Sequence, residues 1–379
     1  MKLRLDFQSP VILGGRKTAT NYIESIDYIQ GNVLRAALAK YILNNCIEFN
    51  ENETVDVNGV NKKNWVYYRD REGCQSCKLK GLCKKFSSLK FSYFYPEGAD
   101  ILPLTAMVCK LDESHGYIDL LTHKRECTIC GKEGRVEAAT GYIKDNKKYN
   151  VKKMFLTKTE IDNYTRTARD GRLYSVVAVS ETSDNRNSFT GYIYGLDKED
   201  LENIEELRVG KYVSVGYGKC TIEPICEENK DRQDMLQQLE SFNNRYKSLS
   251  FNNADEKFNY FAIKLTSDAM LDVNIDSSKY MSTEEYIKLW QDVLKIDKKY
   301  QICKMYCESF NFRGFDLSKT GTDIREEPVV MMEKGSVILF KTQESLVNVL
   351  DYFEKLEGLG EENENGFGDF VFYFGGVSK

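Results

Sequence analysis

Two cysteine pairs in the first half of the chain have the spacing of metal-binding knuckles. Cys74 and Cys77 form one Cys-x2-Cys pair, with Cys83 nearby, and Cys127 and Cys130 form the second. Each short loop can present two thiolates to one ion, so the pairs together suit a tetrahedral structural zinc site. The 49 residues between the pairs exceed the gap of a simple zinc ribbon, so the site would close an insertion. Cys83 could replace Cys74 as a ligand, and unliganded thiols or a redox pair are the alternatives to zinc.

A closed site of four thiolates leaves no open position for a substrate, so the predicted zinc has a role in folding. The other cysteines lack partners at metal spacing and are predicted to pack in the core. They are Cys46, Cys109, Cys220, Cys226, Cys303 and Cys307.

Three glycine-bearing turns could bind phosphate, because glycine lets successive backbone N–H groups approach an anion closely. They lie at 14–17, 208–218 and 358–368. A tight hairpin is the alternative interpretation of each. The candidate phosphate-contacting residues are Gly14, Gly15, Arg16, Lys17, Lys211, Tyr212, Ser214, Gly216 and Gly218. The turn at 358–368 carries Glu361, Glu362 and Glu364, which favours a role in shape or in a protein contact.

A basic stretch in the second half is a further candidate for contact with nucleic-acid phosphates. It contains Arg313-Gly314-Phe315, followed by Lys319 and Arg325. Arg313 and Lys319 are its candidate contact residues, and a solvated connection between strands is the alternative.

Histidine, the usual acid–base group of RNA cleavage, is scarce in this chain. His115 and His123 are its two histidines, and both are predicted to be structural or spare metal ligands. The sequence has no Walker loop, no strand–GxGxxG–helix unit and no nucleophile elbow. It therefore offers few arrangements for catalysis.

The hydrophobic periodicity predicts an α+β protein whose two halves are each compatible with a βαββαβ order. Strands are predicted near 1–8, 152–158, 173–181, 188–194, 218–224, 258–265, 300–307, 335–341 and 369–375. Helices are predicted near 33–44, with Asn32 as N-cap, and near 197–204, 231–248, 283–295 and 343–356. The predicted domains are 1–228, with a cysteine-rich insertion at 65–135, and 251–379, joined by a helical connector at 229–250.

The composition is that of an ordinary globular protein, with 41% hydrophobic and 29% charged residues and a net charge of −5. An acidic chain needs a local basic face to bind nucleic acid, and its 53 Lys and Arg residues can provide one. No stretch is apolar enough for a membrane span, and the N-terminus alternates like a strand rather than a signal peptide. We therefore expect a cytoplasmic protein with reduced cysteines.

The segment from Tyr28 to Ala39, YIQGNVLRAALA, resembles the entry to the first helix in the RAMP superfamily of CRISPR proteins. In that family a glycine opens a helix beginning Leu-Arg-Gly-Ala-Leu; here Ala36 replaces the inner glycine and Gln30 a common proline. A longer set of motifs is similar to the Csx-ten family, the Cas-five-like subunit of type III-D effectors. It comprises Cys74-x2-Cys77-x5-Cys83, Pro103-Leu-Thr-Ala106, Cys109-Lys110, His115-Gly116-x2-Asp119-x-Leu121, Cys127-x2-Cys130, Arg313-Gly-Phe315 and Gly335-Ser-Val337. Gly366-Phe-Gly368 matches the family's terminal loop in glycines but not in charge.

This resemblance implies two ferredoxin-like, RRM-like RAMP domains, with a structural zinc in an insertion of the first. It implies a non-catalytic crRNA-binding subunit that grips the 5′ repeat-derived handle of the guide, caps the backbone filament and contacts the Cas-ten-type large subunit in antiviral defence. RRM-like sheets can stack bases on aromatic rings. Arg35, inside the helix motif, joins the RNA-contact candidates, with a surface charge or an ion pair within the fold as its alternative roles.

Two other functions remain open on sequence alone. One is a metal-independent endoribonuclease that processes precursor crRNA with His115, His123 or a Lys/Tyr set. The other is a structural zinc protein that joins partner proteins without touching RNA.

Overall fold

The computed structural model describes residues 1–14, 16–19, 22–131, 135–183, 187–226, 231–273, 282–316, 318–320 and 324–376, without the side chains of 16–19. Its helices are α1 (Gly31–Asn44), α2 (Glu72–Gln75), α3 (Lys80–Lys85), α4 (Lys198–Glu202), α5 (Arg232–Ser248), α6 (Thr283–Val293) and α7 (Leu346–Phe353). The protein mixes helices with mostly antiparallel sheets, so the predicted α+β class is confirmed at this level. None of the helices in these ranges is both long and apolar enough to cross a bilayer.

The strands of the first half, in chain order, are β1 (Lys2–Phe7), β2 (Arg16–Ala19), β3 (Tyr22–Glu24), β4 (Val55–Val57), β5 (Val60–Lys62), β6 (Lys90–Phe91), β7 (Tyr95–Pro96), β8 (Asp100–Ile101), β9 (Ala106–Cys109), β10 (Tyr117–Asp119), β11 (Val136–Ala138), β12 (Tyr142–Lys144), β13 (Lys147–Tyr149), β14 (Lys153–Ile161), β15 (Ala168–Val179), β16 (Phe189–Tyr194), β17 (Leu207–Arg208) and β18 (Lys219–Pro224). Those of the second half are β19 (Asn259–Leu265), β20 (Ala269–Leu271), β21 (Gln301–Tyr306), β22 (Ser309–Phe312), β23 (Val329–Met332), β24 (Val337–Thr342) and β25 (Phe370–Tyr373).

The main sheet of the first half has the order β17-β18-β1-β16-β6, with β7 also paired to β16, and all its pairs are antiparallel. Its central strand β1 alternates as predicted, burying Leu3, Leu5 and Phe7. The apolar stripe of α1 packs on this face. When β1, β6, β16 and β18 are numbered 1 to 4 in chain order, their order across the sheet is 4-1-3-2.

Helix α1 begins two residues earlier than predicted, with Gln30 rather than Asn32 in the N-cap position. The reason lies outside the helix. Gly31 abuts the backbone of Phe91 and Asn365 so closely that a Cβ atom would collide with both carbonyl oxygens. A long-range contact, which no local pattern records, therefore sets where the helix begins.

The main sheet of the second half has the order β21-β24-β19-β25 and is also antiparallel, which again gives 4-1-3-2. Helices α6 and α7 cover one face, through side chains such as Trp290 and Phe353. Ser282 and Glu285 form a capping box at the start of α6. The opposite face is also covered, by Phe242 and Tyr246 of α5 and by Leu121 from the first half. Helix α5 thus packs on the second sheet as well as connecting the halves.

The stretch predicted as an insertion, 65–135, contains β6 and β7 of the main first sheet, so it is not one continuous excursion. Short strands surround the cysteines, including the sheet β10-β9-β11. Farther along the chain, β14 and β15 form a long hairpin in the sheet β14-β15-β3-β2. The chain between α1 and β16 therefore contributes β6 and β7 to the main sheet, and its other strands belong to several small sheets.

Candidate functional site

Four side chains of the cysteine-rich stretch form a cluster that could hold a metal ion. They are Cys109, His115, Cys127 and Cys130, and their ligand atoms all lie within 4.8 Å of one another. The Cys109 and Cys130 sulfurs are 3.9 Å apart. His115 Nδ1 lies 3.6 Å from Cys127 Sγ and 3.4 Å from Cys130 Sγ. Three sulfurs and one imidazole nitrogen make the ligand set of a structural zinc site.

Backbone amides around the cluster favour thiolate over thiol. The turn at Cys127-x2-Cys130 aims the Cys130 N–H at the Cys127 sulfur, 3.4 Å away. This hydrogen bond is the main cause that lowers the pKa of Cys127 to about 6. The backbone N–H of Asp112 likewise lowers the pKa of Cys109. Burial has the opposite effect on Cys130 and raises its pKa to about 11. A bound cation would offset that cost, because metals bind the deprotonated thiol.

A carboxylate on the side of the ring away from the sulfurs orients His115. Asp112 Oδ2 lies 3.7 Å from Nε2 of His115, while Nδ1 faces the sulfurs. Asp112 is itself held by the Ser114 N–H, 2.8 Å from its Oδ1. An outer carboxylate of this kind fixes the ring of a metal-bound histidine. With four protein ligands no position is left for substrate, so zinc here would stabilise the fold.

The cluster matches part of the predicted ligand set. Cys127 and Cys130 are members, whereas Cys74, Cys77 and Cys83 are not. Cys109, predicted to pack in the core, takes part instead, and so does His115. The hairpin of β9 and β10 explains this change, because it brings the end of one strand and the residues before the next together. In hindsight the Cys109-x5-His115 spacing was the available signal.

The segment after the histidine attaches the cluster to the second half of the molecule. Asp119 is buried, and its carboxylate accepts hydrogen bonds from the Leu121 N–H at 2.8 Å and from the hydroxyl of Tyr373 on β25. Leu121 itself is fully buried in the core of the second half. Asp119 and Leu121 therefore hold the two halves together.

The two glycine-rich loops, 208–218 and 358–368, have the same backbone, with equivalent residues 150 positions apart. Tyr212 and Glu362 both have left-handed backbone angles, with φ of 58°. The Lys211 N–H donates to Ile12 O and the Glu361 N–H donates to Met270 O, each at 2.9 Å. Both loops contain a 3-10 turn, Val213–Val215 in the first and Asn363–Asn365 in the second. The two glycine-bearing turns at 208–218 and 358–368 therefore repeat one backbone structure.

The first loop is exposed and lies beside another predicted turn. Lys211, Tyr212 and Ser214 are all exposed, and the bond from Lys211 to Ile12 O brings the loop next to Gly14, whose φ is +64°. Gly216 is exposed as well, whereas Gly218 is buried at the base of the loop. Gly15 and the side chains of Arg16 and Lys17 lie outside the described residues. The described candidates thus form one surface with a cation, a ring and a glycine backbone.

The second loop docks against the first half, beside Arg35. A Cβ atom on Gly366 would collide with Phe91 O. The Arg35 guanidinium donates to Leu89 O at 3.0 Å and lies over the Phe86 and Phe91 rings. Burial lowers the Arg35 pKa, and the nearby charges of Glu364 and Glu362 oppose that shift. The acidic residues therefore serve a contact within the protein, and Arg35 is engaged in the fold.

The basic stretch of the second half forms a separate surface. Arg313 is exposed and donates from Nε to Glu326 O at 2.8 Å, which leaves its outer nitrogens for a ligand. Phe315 is 62% exposed. Lys319 is half-buried. Its backbone forms an isolated antiparallel β-bridge with Lys62 of β5, and its side-chain nitrogen lies 4.0 Å from the Glu326 carboxylate. An exposed ring with cations on both sides of it in the sequence suits a base and its phosphates.

The hairpin of β14 and β15 is a further candidate surface, which the sequence analysis did not single out. Tyr164 at its tip is 96% exposed and Phe155 is 62% exposed. Arg169 and Arg172 lie along it, both facing Glu160. Along β14, Lys158 lies 4.4 Å from the Tyr217 ring of the first glycine loop. Hairpin and loop therefore adjoin.

No protein-family model and no curated protein matches this chain. Among solved structures, a chain of the Type III-B Cmr-beta bound to cognate target RNA is 12% identical, with 98% of this chain and 96% of that chain covered and a TM-score of 0.45. A chain of the Type III-B Cmr-beta bound to cognate target RNA and AMPPnP, state 1, is 12% identical, with 94% and 90% covered and a TM-score of 0.44. A chain of the apo state of Type III-B Cmr-beta is also 12% identical, with 59% and 95% covered and a TM-score of 0.28.

Proposed function

We propose that this chain is a non-catalytic crRNA-binding subunit of a type III, III-D-like, CRISPR effector, in the Cas-five-like position. It grips the 5′ repeat-derived handle of the guide RNA and contacts the backbone subunits and the Cas-ten-type large subunit. The observation that carries the proposal is the exposed glycine loop at 208–218. Its side chains Lys211, Tyr212 and Ser214 combine charge, stacking and hydrogen bonding next to a second glycine turn.

Two ferredoxin-like domains are part of this proposal. The 4-1-3-2 strand arrangement, with antiparallel neighbours and a helix after the first and third strands, is that of a βαββαβ unit. Both main sheets have it. The sequence resemblance to RAMP proteins implies the same pair of domains, so topology and motifs support one proposal.

RNA contact in this proposal belongs to loops rather than to a sheet surface. In the second half, the sheet face with Tyr260 and Tyr373 is buried under α5 and Leu121. Bases therefore have no access to it. Exposed rings that lie within a loop or hairpin together with cations include Tyr212, Phe315 and Tyr164.

The absence of catalysis is proposed from the positions of the histidines. His115 belongs to the metal cluster, which removes it from proton transfer. His123 is exposed, and its Nδ1 lies 3.0 Å from the hydroxyl of Thr122. The chain alone should leave labelled repeat RNA intact in EDTA. Specific cleavage that disappears in His123→Ala would favour the endoribonuclease instead.

Charge reversal tests the binding surface. The double variant Lys211→Glu, Arg313→Glu should bind guide RNA more weakly in a filter-binding titration. The slope of log K against log salt should become shallower by the amount expected for the loss of about two phosphate contacts. Lys298→Glu, at an exposed position after α6, is the matched control and should bind like the wild type. Equal affinities and equal salt slopes for all three proteins would refute the proposed surface.

Crosslink mapping in the assembled complex tests the place of the subunit. Coexpression with a guide array should give crosslinks from the 5′ repeat-derived nucleotides to the loop at 208–218. Crosslinks confined to the spacer-derived nucleotides would contradict the proposed position, and copurification without any crosslink would favour a purely structural protein.

A further inference from the structure

The cysteines at 74, 77 and 83 lie on a tightly wound segment that does not belong to the metal cluster. Cys74 is on α2, Cys77 follows it, and Cys83 is on α3. The Cys77 N–H donates to Cys74 O at 3.4 Å, and the Cys83 N–H donates to Leu79 O at 2.8 Å. Successive turns therefore present three thiols within ten residues, which is ligand spacing typical of zinc knuckles.

The end of α1 brings a fourth cysteine to this segment. Cys46 lies two residues beyond α1, and the chain after it contacts the chain before Cys74. The Gly73 N–H donates to Glu48 Oε1 at 3.0 Å, and a Cβ atom on Gly73 would lie 2.7 Å from Ile47 Cδ1. These contacts place the residues that follow Cys46 beside Gly73, the neighbour of Cys74.

The thiols of the segment 72–85 lie toward the interior of the first half. All four cysteines are free of disulfides, Cys74 is buried, and Cys77 and Cys83 pack against the core of the first half. The sulfurs are less closely gathered than those of the 109–130 cluster, so binding would include rotation of Cys side chains about χ1.

The surroundings suit an anionic metal site. Four thiolates around one Zn²⁺ carry a net charge of about −2, which a nearby buried cation offsets. Arg69 is such a cation, with a side chain 5% exposed and its Nε 3.6 Å from Oε2 of the partly exposed Glu53. Its guanidinium lies 4.3 Å from the Tyr67 ring, and its Nε is buried without a hydrogen bond.

We propose that Cys46, Cys74, Cys77 and Cys83 form a second structural zinc site, separate from the cluster of Cys109, His115, Cys127 and Cys130. The site ties the end of α1 to the segment 72–85, whose Leu79 and Leu82 close the core of the first half. Each thiol gives up its proton to the solvent on binding, and the metal does not change oxidation state. The proposal does not depend on RNA binding.

Metal content of the purified full chain tests the proposal. Protein expressed in zinc-supplemented medium should contain about two zinc ions per chain, one for each four-ligand site. Cys83→Ser should lose about half of this zinc, Cys127→Ser the other half, and the double variant nearly all of it. Cys303→Ser, a half-buried cysteine outside both sets, is the control and should keep the wild-type content. About one zinc in the wild type, fully retained in Cys83→Ser, would overturn the proposal.

Alkylation of the wild type covers the case in which Cys83→Ser fails to fold. In the zinc-loaded protein, Cys46, Cys74, Cys77 and Cys83 should resist iodoacetamide, and a strong chelator should make all four reactive. Substitution of cobalt should show two tetrahedral species, one with sulfur ligands only and one with sulfur and nitrogen. Rapid alkylation of Cys46 and Cys77 in loaded protein, or an intact mass that reveals a Cys74–Cys77 disulfide, would exclude the second site.

Discussion

The two glycine-rich loops share a backbone and differ in what surrounds them. In both, glycines 150 residues apart take the same left-handed angles, such as Gly216 at φ +99° and Gly366 at φ +83°. Around Gly216 nothing would meet an added Cβ within 4 Å, whereas at Gly366 it would collide with Phe91 O. One loop is open to a ligand, and the other is a joint between the halves.

The residues between the glycines account for this difference. The first loop places Lys211 and Tyr212 where the second has Glu361 and Glu362. The carboxylates of Glu362 and Glu364 act on Arg35, and Asp369 at the end of the second loop pairs with Lys90 at 3.1 Å. The equivalent of Asp369 is Lys219, which pairs with Glu206 on the surface. Glycines thus determine the shape of the loop, and charge determines its partner.

The strongest test of the comparison substitutes one glycine of each loop. Gly366→Ala should lower the free energy of unfolding by about 4 kcal/mol, from left-handed strain plus collision with the Phe91 backbone. Gly216→Ala is the matched control and should cost about 1–2 kcal/mol, from strain alone. Urea denaturation of the full chain measures both. Equal losses would mean that the second loop is not a rigid joint.

Removal of the Arg35 charge should have the next largest effect. Arg35→Met keeps the stem but loses charged hydrogen bonds to Leu89 O and Ser87 O. We expect a loss of about 3 kcal/mol in the free energy of unfolding. Lys40→Met, at an exposed position of the same helix, should change it by less than about 0.5 kcal/mol. If Arg35→Met instead folds normally and loses RNA affinity, the predicted RNA contact of Arg35 is correct.

The ion pair of the second loop predicts a pH dependence. Burial raises the pKa of Asp369, and Lys90 opposes this shift. Lys90→Met should cost about 2 kcal/mol at neutral pH, because it leaves a buried carboxylate without its partner. The raised pKa means that the folded protein takes up a proton at a higher pH than the unfolded chain. Below the ordinary aspartate pKa of 3.8, Asp369 is protonated in both the folded and the unfolded protein. The difference in the free energy of unfolding between Lys90→Met and the wild type should therefore disappear on acidification.

The same measurement on the first loop provides the control. Lys219→Met breaks the exposed pair with Glu206 and should cost less than about 1 kcal/mol at any pH, since such pairs contribute little. A loss in the free energy of unfolding of Lys90→Met that stays constant between neutral and acidic pH would contradict the role given to Asp369.

A charge exchange between equivalent positions should have the smallest energetic effect. Lys211→Glu should weaken guide RNA binding about fivefold, about 1 kcal/mol, and reduce the salt slope by about one. Glu361→Lys, at the equivalent position of the docked loop, breaks its 2.7 Å pair with Lys295 and should not strengthen RNA binding. A gain of affinity in Glu361→Lys would show that the second loop also reaches RNA.

Periodicity predicted most of the regular fold because each main strand and helix buries one face locally. Strand β1 and helices α1, α6 and α7 all lie where their apolar patterns indicate. The short strands β6 and β7 could not be found in this way, since two residues carry no period. They were included in the predicted insertion although they belong to the main sheet.

The candidate metal cluster was predicted in part for a similar reason. Cys127 and Cys130 form a ligand pair within one turn, and local spacing is enough to identify it. Cys109 and His115 join them only because β9 and β10 pair, and a sequence does not state which pairs a hairpin will close. The same limit applies to Cys46, because the contact of its neighbours Ile47 and Glu48 with Gly73 joins segments that are distant in sequence.

The sequence by itself determined the class of fold, the cysteine knuckles and the two glycine loops, because periodicity, spacing and glycine content are local properties of the chain. The tertiary structure decided which thiols meet, which loop docks and what Arg35 contacts. These depend on contacts between segments far apart in sequence, such as the backbone approaches at Gly31 and Gly366. Only packing in three dimensions makes such segments neighbours.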